Sequence, residues 1–550
     1  MSDPTASPSP RRARCLKARP HLLWLLAILV LGVGLRCIHL TDPYIADFHA
    51  WRQADTAAFT HGYLIETFNP LSPRVDRQPC SLADAPFGLV EAELPIAAWI
   101  AAVPLKALGL RFPPAWYLRL VSIAFYVATA IYIWRLALLL GARRAEASLA
   151  TLAFSTFPLS VFFTRTPQPD GPALFFSVAF LFYLERWLRG QADAHASDPR
   201  PPPAAQPIDS GIHTASTPGG AAPGDGNASL ALCGLMGACM LLIKISNAFI
   251  GVPAAYLVVS SLGLRRALTS RHVWLLACAV LGAGAAWYAY AHGFPWTFGI
   301  WGDRAASKFA TWELINSAGV WATLSHRLAF PIAGWAALLL AGVGLGAGLG
   351  ERRVRLCVAW LLAFAAFVVL VLRGNDTHIY YQLPCVLPLA LLAGRGAAQL
   401  WGSAMHAGQT TGRQTRWVAR AGLLGLVALQ ALNLRHVMFS KQTRGERRGF
   451  YHLDINGVDG AQLLRRSLPP GARFVSADRN PVLFYNSQHQ GFFAEDTSVP
   501  ALLRCAAGRA DHILVPRSYA GREHKYRRQI QRSAASTYFL LWEVRRPPPP

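Results

Sequence analysis

Between Thr41 and Thr56 the chain reads T-D-P-Y-I-A-D-F-H-A-W-R-Q-A-D-T, which puts Asp42, Asp47, His49, Trp51, Arg52, Gln53 and Asp55 within fifteen residues. Carboxylates at this density suit proton abstraction. The arginine among them suits an anion, because a guanidinium can grip two phosphate oxygens at once. The cluster follows an apolar run at 22–35 and opens a loop of about fifty residues that closes on Glu91, Glu93 and Pro95. A loop this long is usually functional or disordered, and its aromatic content argues against disorder. The bland reading is a set of solvated residues at a membrane surface.

Further charges lie where charge is costly. Arg165 and Asp170 flank the proline-fixed turn R-T-P-Q-P-D-G-P, and Lys244 ends an apolar run in L-L-I-K-I-S-N. Ionisable groups at membrane depth are expensive and usually mark a function. A turn explains the prolines of the first motif but not its charges. Snorkelling to the interface is the plain alternative for Lys244. Later, R-G-N-D-T-H-I-Y-Y-Q adds Arg373, His378, Tyr380 and Tyr381. The tyrosines also suit an interfacial aromatic belt, and histidines near an interface are more often hydrogen-bonding groups than metal ligands.

The elements that must position these residues are membrane helices. Of 550 residues, 53% are hydrophobic and 15% charged, and several apolar runs reach the ~20 residues that cross a ~30 Å hydrocarbon layer. The formal charge of +24 does not point to nucleic acid, because the arginines fall in short clusters between apolar runs, as in loops retained in the cytoplasm. Arginine greatly outnumbers lysine, and alanine, glycine and proline are abundant, which fits a GC-rich bacterial genome. Arg11, Arg12, Arg14, Lys17 and Arg19 place the N-terminus inside and the acidic loop outside. The segment 94–110, interrupted by Pro104 and Lys106, is read as a helix lying flat in the interface. With that choice Arg143 and Arg144 fall inside and Asp170 outside. Eleven spans result: the first run, then 115–138, 147–164, 171–188, 229–247, 248–262, 273–292, 328–349, 354–372, 382–398 and 418–432. One side then collects the acidic loop, Glu93, Arg165, Asp170, Lys244, the 296–313 loop and the 373–381 segment.

Residues 191–228 are rich in Pro, Ala, Gly, Ser and Asp without periodicity and read as a disordered cytoplasmic linker. Beyond residue 432 the apolar runs shorten to strand length at 473–477, 512–515 and 538–544, with helical stretches at 459–467 and 499–507 between them. This predicts a membrane-embedded unit over 1–432, with its outer loop and interfacial helices at 41–110, and a small outer α/β domain over 433–550. Of nine cysteines, only Cys80 and Cys505 fall in segments placed on the outer side, where they would be free to pair.

In order, E-L-P-I-A-A-W-I, Arg119, R-T-P-Q-P-D-G-P-A-L-F-F and L-I-K-I-S-N-A-F resemble the GT-C superfamily of glycosyltransferases. The likeness is greatest to the lipid A aminoarabinose transferases and the family 39 protein mannosyltransferase-like enzymes. It runs from residue 22 to 249 and beyond that rests on architecture and on H-I-Y-Y-Q-L-P. Where better-known relatives carry an Asp-Glu pair after the first span, this chain has Arg52-Gln53, resembling a bacterial subgroup with an H-x-W-R-Q-x-D-T signature. The resemblance implies a mainly α, polytopic GT-C bundle. It also implies transfer of a sugar from a polyprenyl phosphate, with inversion, to a lipid, glycan or protein acceptor on the outer face of the cytoplasmic membrane. Carried over by position, Glu93, Asp170 and Lys244 match functional positions of the family. On this reading Asp55 or Asp47 takes the acceptor proton, and Glu93 and Asp170 position the acceptor or, with His49, a divalent metal. Arg52, Lys244 and Arg373 face the lipid phosphate, with Trp51, Gln53, Arg165, His378 and Tyr381 completing the substrate contacts.

Two other classes compete. A carrier or lipid flippase would show repeats or charges near the midplane, and neither is visible. A scaffold binding partners through its C-terminal domain would not require Asp170 and Lys244 to share a side with the acidic loop.

Overall fold

The computed structural model describes residues 19–44, 49–196, 225–298, 305–346, 348–410, 413–440, 450–451 and 455–545. Asp47 lies outside them. Each of the eleven expected spans has a helical counterpart. Among the described residues six helices are long and apolar enough to cross a membrane, such as Ala115–Leu139 and Arg352–Leu370. A seventh crossing is available to the pair Ala318–Ile332 and Trp335–Gly346, which meet at 94°. The break falls at Gly334, whose φ of +89° is a backbone conformation that glycine adopts without strain. The 147–164 span is also divided, into Arg144–Thr156 and Pro158–Phe163, because Phe157 before the proline is forced out of the helical region. The flat helix is Ile96–Ala107, and its 12 residues reach about 18 Å, too short to cross.

The helices form one bundle around a core that includes Phe154, Phe162, Leu181, Trp360 and Leu387. Where Trp335–Gly346 meets Val386–Thr410, a Cβ on Gly344 or Gly396 would strike the backbone carbonyl of Leu392 or Leu340. The two helices therefore touch backbone to backbone, as small residues permit within membranes. The predicted linker is shorter than its composition suggested. The Asp170–Ala196 helix continues to Ala196 and the next begins at Asp225, leaving 197–224 outside the described residues. Gln191, Ala192 and Ala194 are sound helix formers, and Arg189 donates to Glu185 one turn earlier at 2.9 Å.

The predicted strands are present as β4 (Phe474–Ser476), β6 (His512–Pro516) and β8 (Phe539–Val544). Three more were not visible in the sequence: β1 (Arg77–Pro79), β5 (Gly491–Phe493) and β7 (Ile530–Ala535). Together they form a six-stranded sheet in the order β1-β5-β4-β6-β8-β7, parallel from β1 through β6 and antiparallel beyond. Its first edge strand comes from the loop between the first two membrane helices. Cys80 and Cys505 are joined by a disulfide beside it, with Cα atoms 5.6 Å apart. The hydroxyl of Tyr485 donates to the Pro113 carbonyl at 2.5 Å, and Gln490 donates to Glu66 at 2.7 Å, so the sheet sits directly on the loop. A separate two-stranded pair, β2 (Val90–Glu91) and β3 (Trp296–Thr297), clips the far end of the same loop to the segment after the Arg271–Ala291 helix.

Candidate active site

The loop helix Ala50–Ile65 presents Arg52 and, one turn on, Asp55 and Thr56. It starts at His49, which holds φ +58°. Glu93 is delivered from the other end of the loop on a backbone fixed from both sides. The Trp287 indole donates to the Ala92 carbonyl at 3.1 Å, and the Leu94 amide donates to the Leu242 carbonyl at 2.9 Å. Arg52 Nη2 donates to Glu93 Oε2 at 2.5 Å. Burial opposes the charge on Glu93, but Arg52, Lys244 and Lys308 outweigh it and hold the carboxyl below its usual range. Burial equally opposes the charge on Arg52, and Glu93 beside it reverses the sign, leaving the guanidinium more firmly protonated than usual.

The second pair joins the two motifs that the sequence separated by more than seventy residues. Asp170, first residue of its helix, receives Lys244 Nζ on Oδ1, and both side chains are almost wholly buried. Asp170 Oδ2 has no hydrogen-bond partner among the described residues. The Lys244 ammonium also sits 5.0 Å and 4.9 Å from the ring centres of Tyr380 and Tyr381. That is cation–π range, and it means the tyrosines wall the cation instead of belting the membrane surface. Snorkelling is excluded for this lysine, since its ammonium is enclosed rather than extended to water.

Beside both pairs lies a shallow cleft lined by Arg52, Thr56, Glu93, Pro169 and apolar residues that include Phe59, Leu94, Ala98 and Ile243. Its lining is mostly apolar, with Arg52, Thr56 and Glu93 as the polar members. That combination suits an amphiphile with an anionic head.

His49 and His378 lie beside the Lys244 pair, their rings 6.0 Å apart and both packed on Tyr380 at 5.2 Å. Burial, then the neighbouring His378 and Arg327, lowers His49 to about 3. Burial, then Lys308, Arg52, Lys244 and Arg327, lowers His378 to about 4. Both rings are therefore neutral near pH 7 and remain so in the folded protein well below it. Because the unfolded chain binds these protons near pH 6.5, their contribution to stability is complete above that value and is lost as pH falls toward 4 and then 3. Thermal unfolding in detergent should weaken between pH 6.5 and 4 by up to about 1.4 kcal/mol per pH unit for each histidine. The double variant His49→Gln/His378→Gln should show a flatter profile; an unchanged slope would disprove the assignment.

Several expected residues are engaged by partners outside the two pairs. Asp55 is paired with Arg77 of β1, whose guanidinium lies 5.4 Å from the Trp296 ring and 5.7 Å from that of Phe298. Arg165, read as a substrate contact, donates instead to the backbone carbonyls of Arg36 at 3.0 Å and His39 at 2.8 Å. Arg119 caps the same stretch through the Leu40 carbonyl at 2.8 Å, so both arginines fix where the chain leaves the first helix. Arg373, read as a phosphate ligand, is exposed and makes no side-chain hydrogen bond or ion pair among the described residues. The helix Leu372–Thr377 turns it outward while burying Asn375, whose carbonyl accepts from Arg327 at 2.7 Å. Gln53 is fully buried and Trp51 is 44% exposed. The sequence reading missed Lys308 and Arg327. Lys308 lies within electrostatic reach of Glu93, Arg52 and Lys244, and burial lowers its pKa. Its only signal was membership of the 296–313 loop. Among the described residues no three His, Cys, Asp or Glu side chains gather as a metal site. Glu93 and Asp170 are each already engaged by a cation.

No protein-family model matches the chain, and neither does any curated protein. Solved structures do match in fold. The crystal structure of ArnT from Cupriavidus metallidurans bound to undecaprenyl phosphate is 13% identical, with a TM-score of 0.59 over 94% of this chain and 97% of that one. The archaeal oligosaccharyltransferase AglB from Archaeoglobus fulgidus, in complex with an inhibitory peptide and a dolichol-phosphate, is 9% identical. Its TM-score is 0.54 over 92% of this chain and 70% of that one. At such identities the likeness establishes the fold alone: a mainly α, polytopic bundle with a small sheet domain, as in those structures.

Proposed function

We propose that this chain is an integral-membrane glycosyltransferase of the outer face of the bacterial cytoplasmic membrane. It moves a sugar from a polyprenyl phosphate to a lipid, glycan or protein acceptor, with inversion at the anomeric carbon. The observation that carries the reading is the juxtaposition of the buried Lys244–Asp170 and Arg52–Glu93 pairs with a mostly apolar cleft that Arg52 and Glu93 help to line.

The electrostatics suit a phosphate. Arg52, Lys244 and Lys308 exceed the two carboxylates they surround by one positive charge, before Arg327 is counted. A sugar phosphodiester brings one negative charge, and breaking the bond from the anomeric carbon to its phosphate oxygen leaves a second on the departing polyprenyl phosphate. Fixed cations that meet charge as it develops are the main source of stabilisation in such a displacement. The acceptor oxygen or nitrogen forms the new bond on the opposite face of the sugar and gives its proton to a carboxylate, Asp55 or Asp47. Arg77 orients Asp55 for this. Glu93 and Asp170 keep Arg52 and Lys244 in place until the phosphate arrives. No step is routed through the divalent metal that the sequence left open for Glu93, Asp170 and His49; among the described residues no three His, Cys, Asp or Glu side chains gather.

The test is sugar transfer by purified, reconstituted protein from a panel of polyprenyl phosphate sugars, comparing wild type with Asp55→Asn and Asp47→Asn. Transfer by wild type, with loss in one aspartate variant that still binds donor, identifies the base. Donor binding without turnover, or lipid moved across the bilayer with its sugar attached, would replace the enzyme with a carrier.

A further inference from the structure

At the edge of the sheet farthest from β1 lies a second concentration of charge that the transfer reaction does not use. Over sixteen residues, Arg517, Arg522, Lys525, Arg527, Arg528 and Arg532 face a single acid, Glu523. All six cations are exposed, whereas Glu523 is 8% exposed and committed to Arg532. Arg517 is tied to the Ser536 carbonyl at 2.7 Å, and Arg522 lies over Tyr519 at 4.1 Å. Arg527 and Arg528 have no side-chain hydrogen bond or ion pair among the described residues. The patch spans two short 3-10 turns, Arg517–Tyr519 and Arg522–Tyr526, and reaches strand β7.

Protection of an exposed sheet edge by charge is the ordinary explanation for cations there. It accounts for Arg532, the one cation on β7, but not for the five that precede the strand. An anionic bilayer is a second candidate, yet surfaces that lie on membranes add apolar side chains that enter the headgroup layer. Here the two aromatic residues turn inward. Tyr519 donates to the Thr497 carbonyl at 2.7 Å and packs on Trp542 at 6.2 Å, and Tyr526 joins the apolar core of the sheet. What remains outside is cationic and polar apart from one aromatic ring, that of Tyr538 beside Arg517. Five inter-strand steps of ~4.8 Å put β7 about 24 Å from the strand that carries Arg77. This surface is therefore distinct from the cleft at Arg52.

We propose that this edge of the sheet domain is a docking surface for an extended, phosphate-bearing polyanion. Its arginines recognise successive phosphates by charge-assisted hydrogen bonds, with little demand on what links them. Such binding releases counterions, so affinity falls steeply with salt, by roughly one logarithmic unit per logarithmic unit of salt for each phosphate engaged.

The experiment uses the full chain in nanodiscs of zwitterionic lipid, with fluorescent inorganic polyphosphate as the probe and the ionic strength varied. Wild type should bind with a salt slope of roughly four or more. Arg522→Gln/Lys525→Gln/Arg527→Gln/Arg528→Gln should bind at least ~100-fold more weakly at low salt, with the slope reduced by about three. The same four positions changed to lysine, with Lys525 kept, should retain binding, which separates loss of charge from loss of fold. No binding by wild type, or an equal loss on neutralising Arg465, Arg466 and Arg504 elsewhere on the domain, would overturn the proposal. So would tighter capture by vesicles rich in anionic phospholipid than by polyphosphate, which would make the partner a membrane.

Discussion

Lys244→Met is expected to abolish sugar transfer and to destabilise the protein at the same time. The methionine matches the lysine stem but leaves Asp170 buried without its cation, with Oδ2 already lacking a partner. Removing one member of a buried pair typically costs about 3–5 kcal/mol. The double variant Asp170→Asn/Lys244→Met should recover most of that loss, because no uncompensated charge remains. Transfer should not recover. If Lys244 meets the departing phosphate, its absence costs ~10²–10³-fold in turnover whatever the state of Asp170. Thermal unfolding and single-turnover transfer on the four proteins of this cycle separate the two roles. A double variant that regains both stability and transfer would reduce the pair to a structural tie between two helices.

Reducing the Cys80–Cys505 disulfide should have the second large effect. It closes 425 residues of chain, and opening such a link typically costs about 2–5 kcal/mol. The loss should concentrate at β1, a three-residue strand held at the edge of the sheet by β5 alone. Arg77 lies on that strand, so the reduced protein should lose the restraint on Asp55 and with it turnover, while donor binding at Arg52 and Lys244 persists. The checks are amide exchange at 77–79 with and without reductant, and transfer by Cys80→Ser. Full activity in a reduced protein whose β1 exchanges freely would remove Asp55 from the chemistry and leave Asp47 as the base.

The membrane helices were legible because length and apolarity are written into the chain, and the two breaks were not, because they depend on single backbone positions. Pro158 gave a signal that the apolar run outweighed, whereas the left-handed turn at Gly334 gave none among so many glycines. Strands β1 and β5 have three residues each, too few for an alternating pattern to show. At the site, Arg52, Glu93, Asp170 and Lys244 stood out because charge next to apolar sequence demands a partner. What the sequence left unstated was which cation meets which carboxylate. Arg165 illustrates the opposite case: an arginine that satisfies backbone carbonyls looks, in one dimension, the same as one that awaits a phosphate. Lys308 stayed hidden because it sits in a polar loop, where a lysine is unremarked until the fold carries it to Glu93.

The origin of β1 sets a timetable for the nascent chain. Residues 77–79 wait for 491–493 before their backbone groups find partners. At ordinary synthesis rates of about 5–20 residues per second, that interval lasts roughly 20–80 s. Until then the loop that bears Arg52, Asp55 and Glu93 stands unfinished, with an open strand edge and an unpaired thiol at Cys80. Assembly of the loop that bears the candidate site is thus deferred until the sheet domain has been made. A ribosome that stops before residue 491 would release a full complement of membrane helices without a competent site, a product that quality control would recognise by its exposed edge and free thiol.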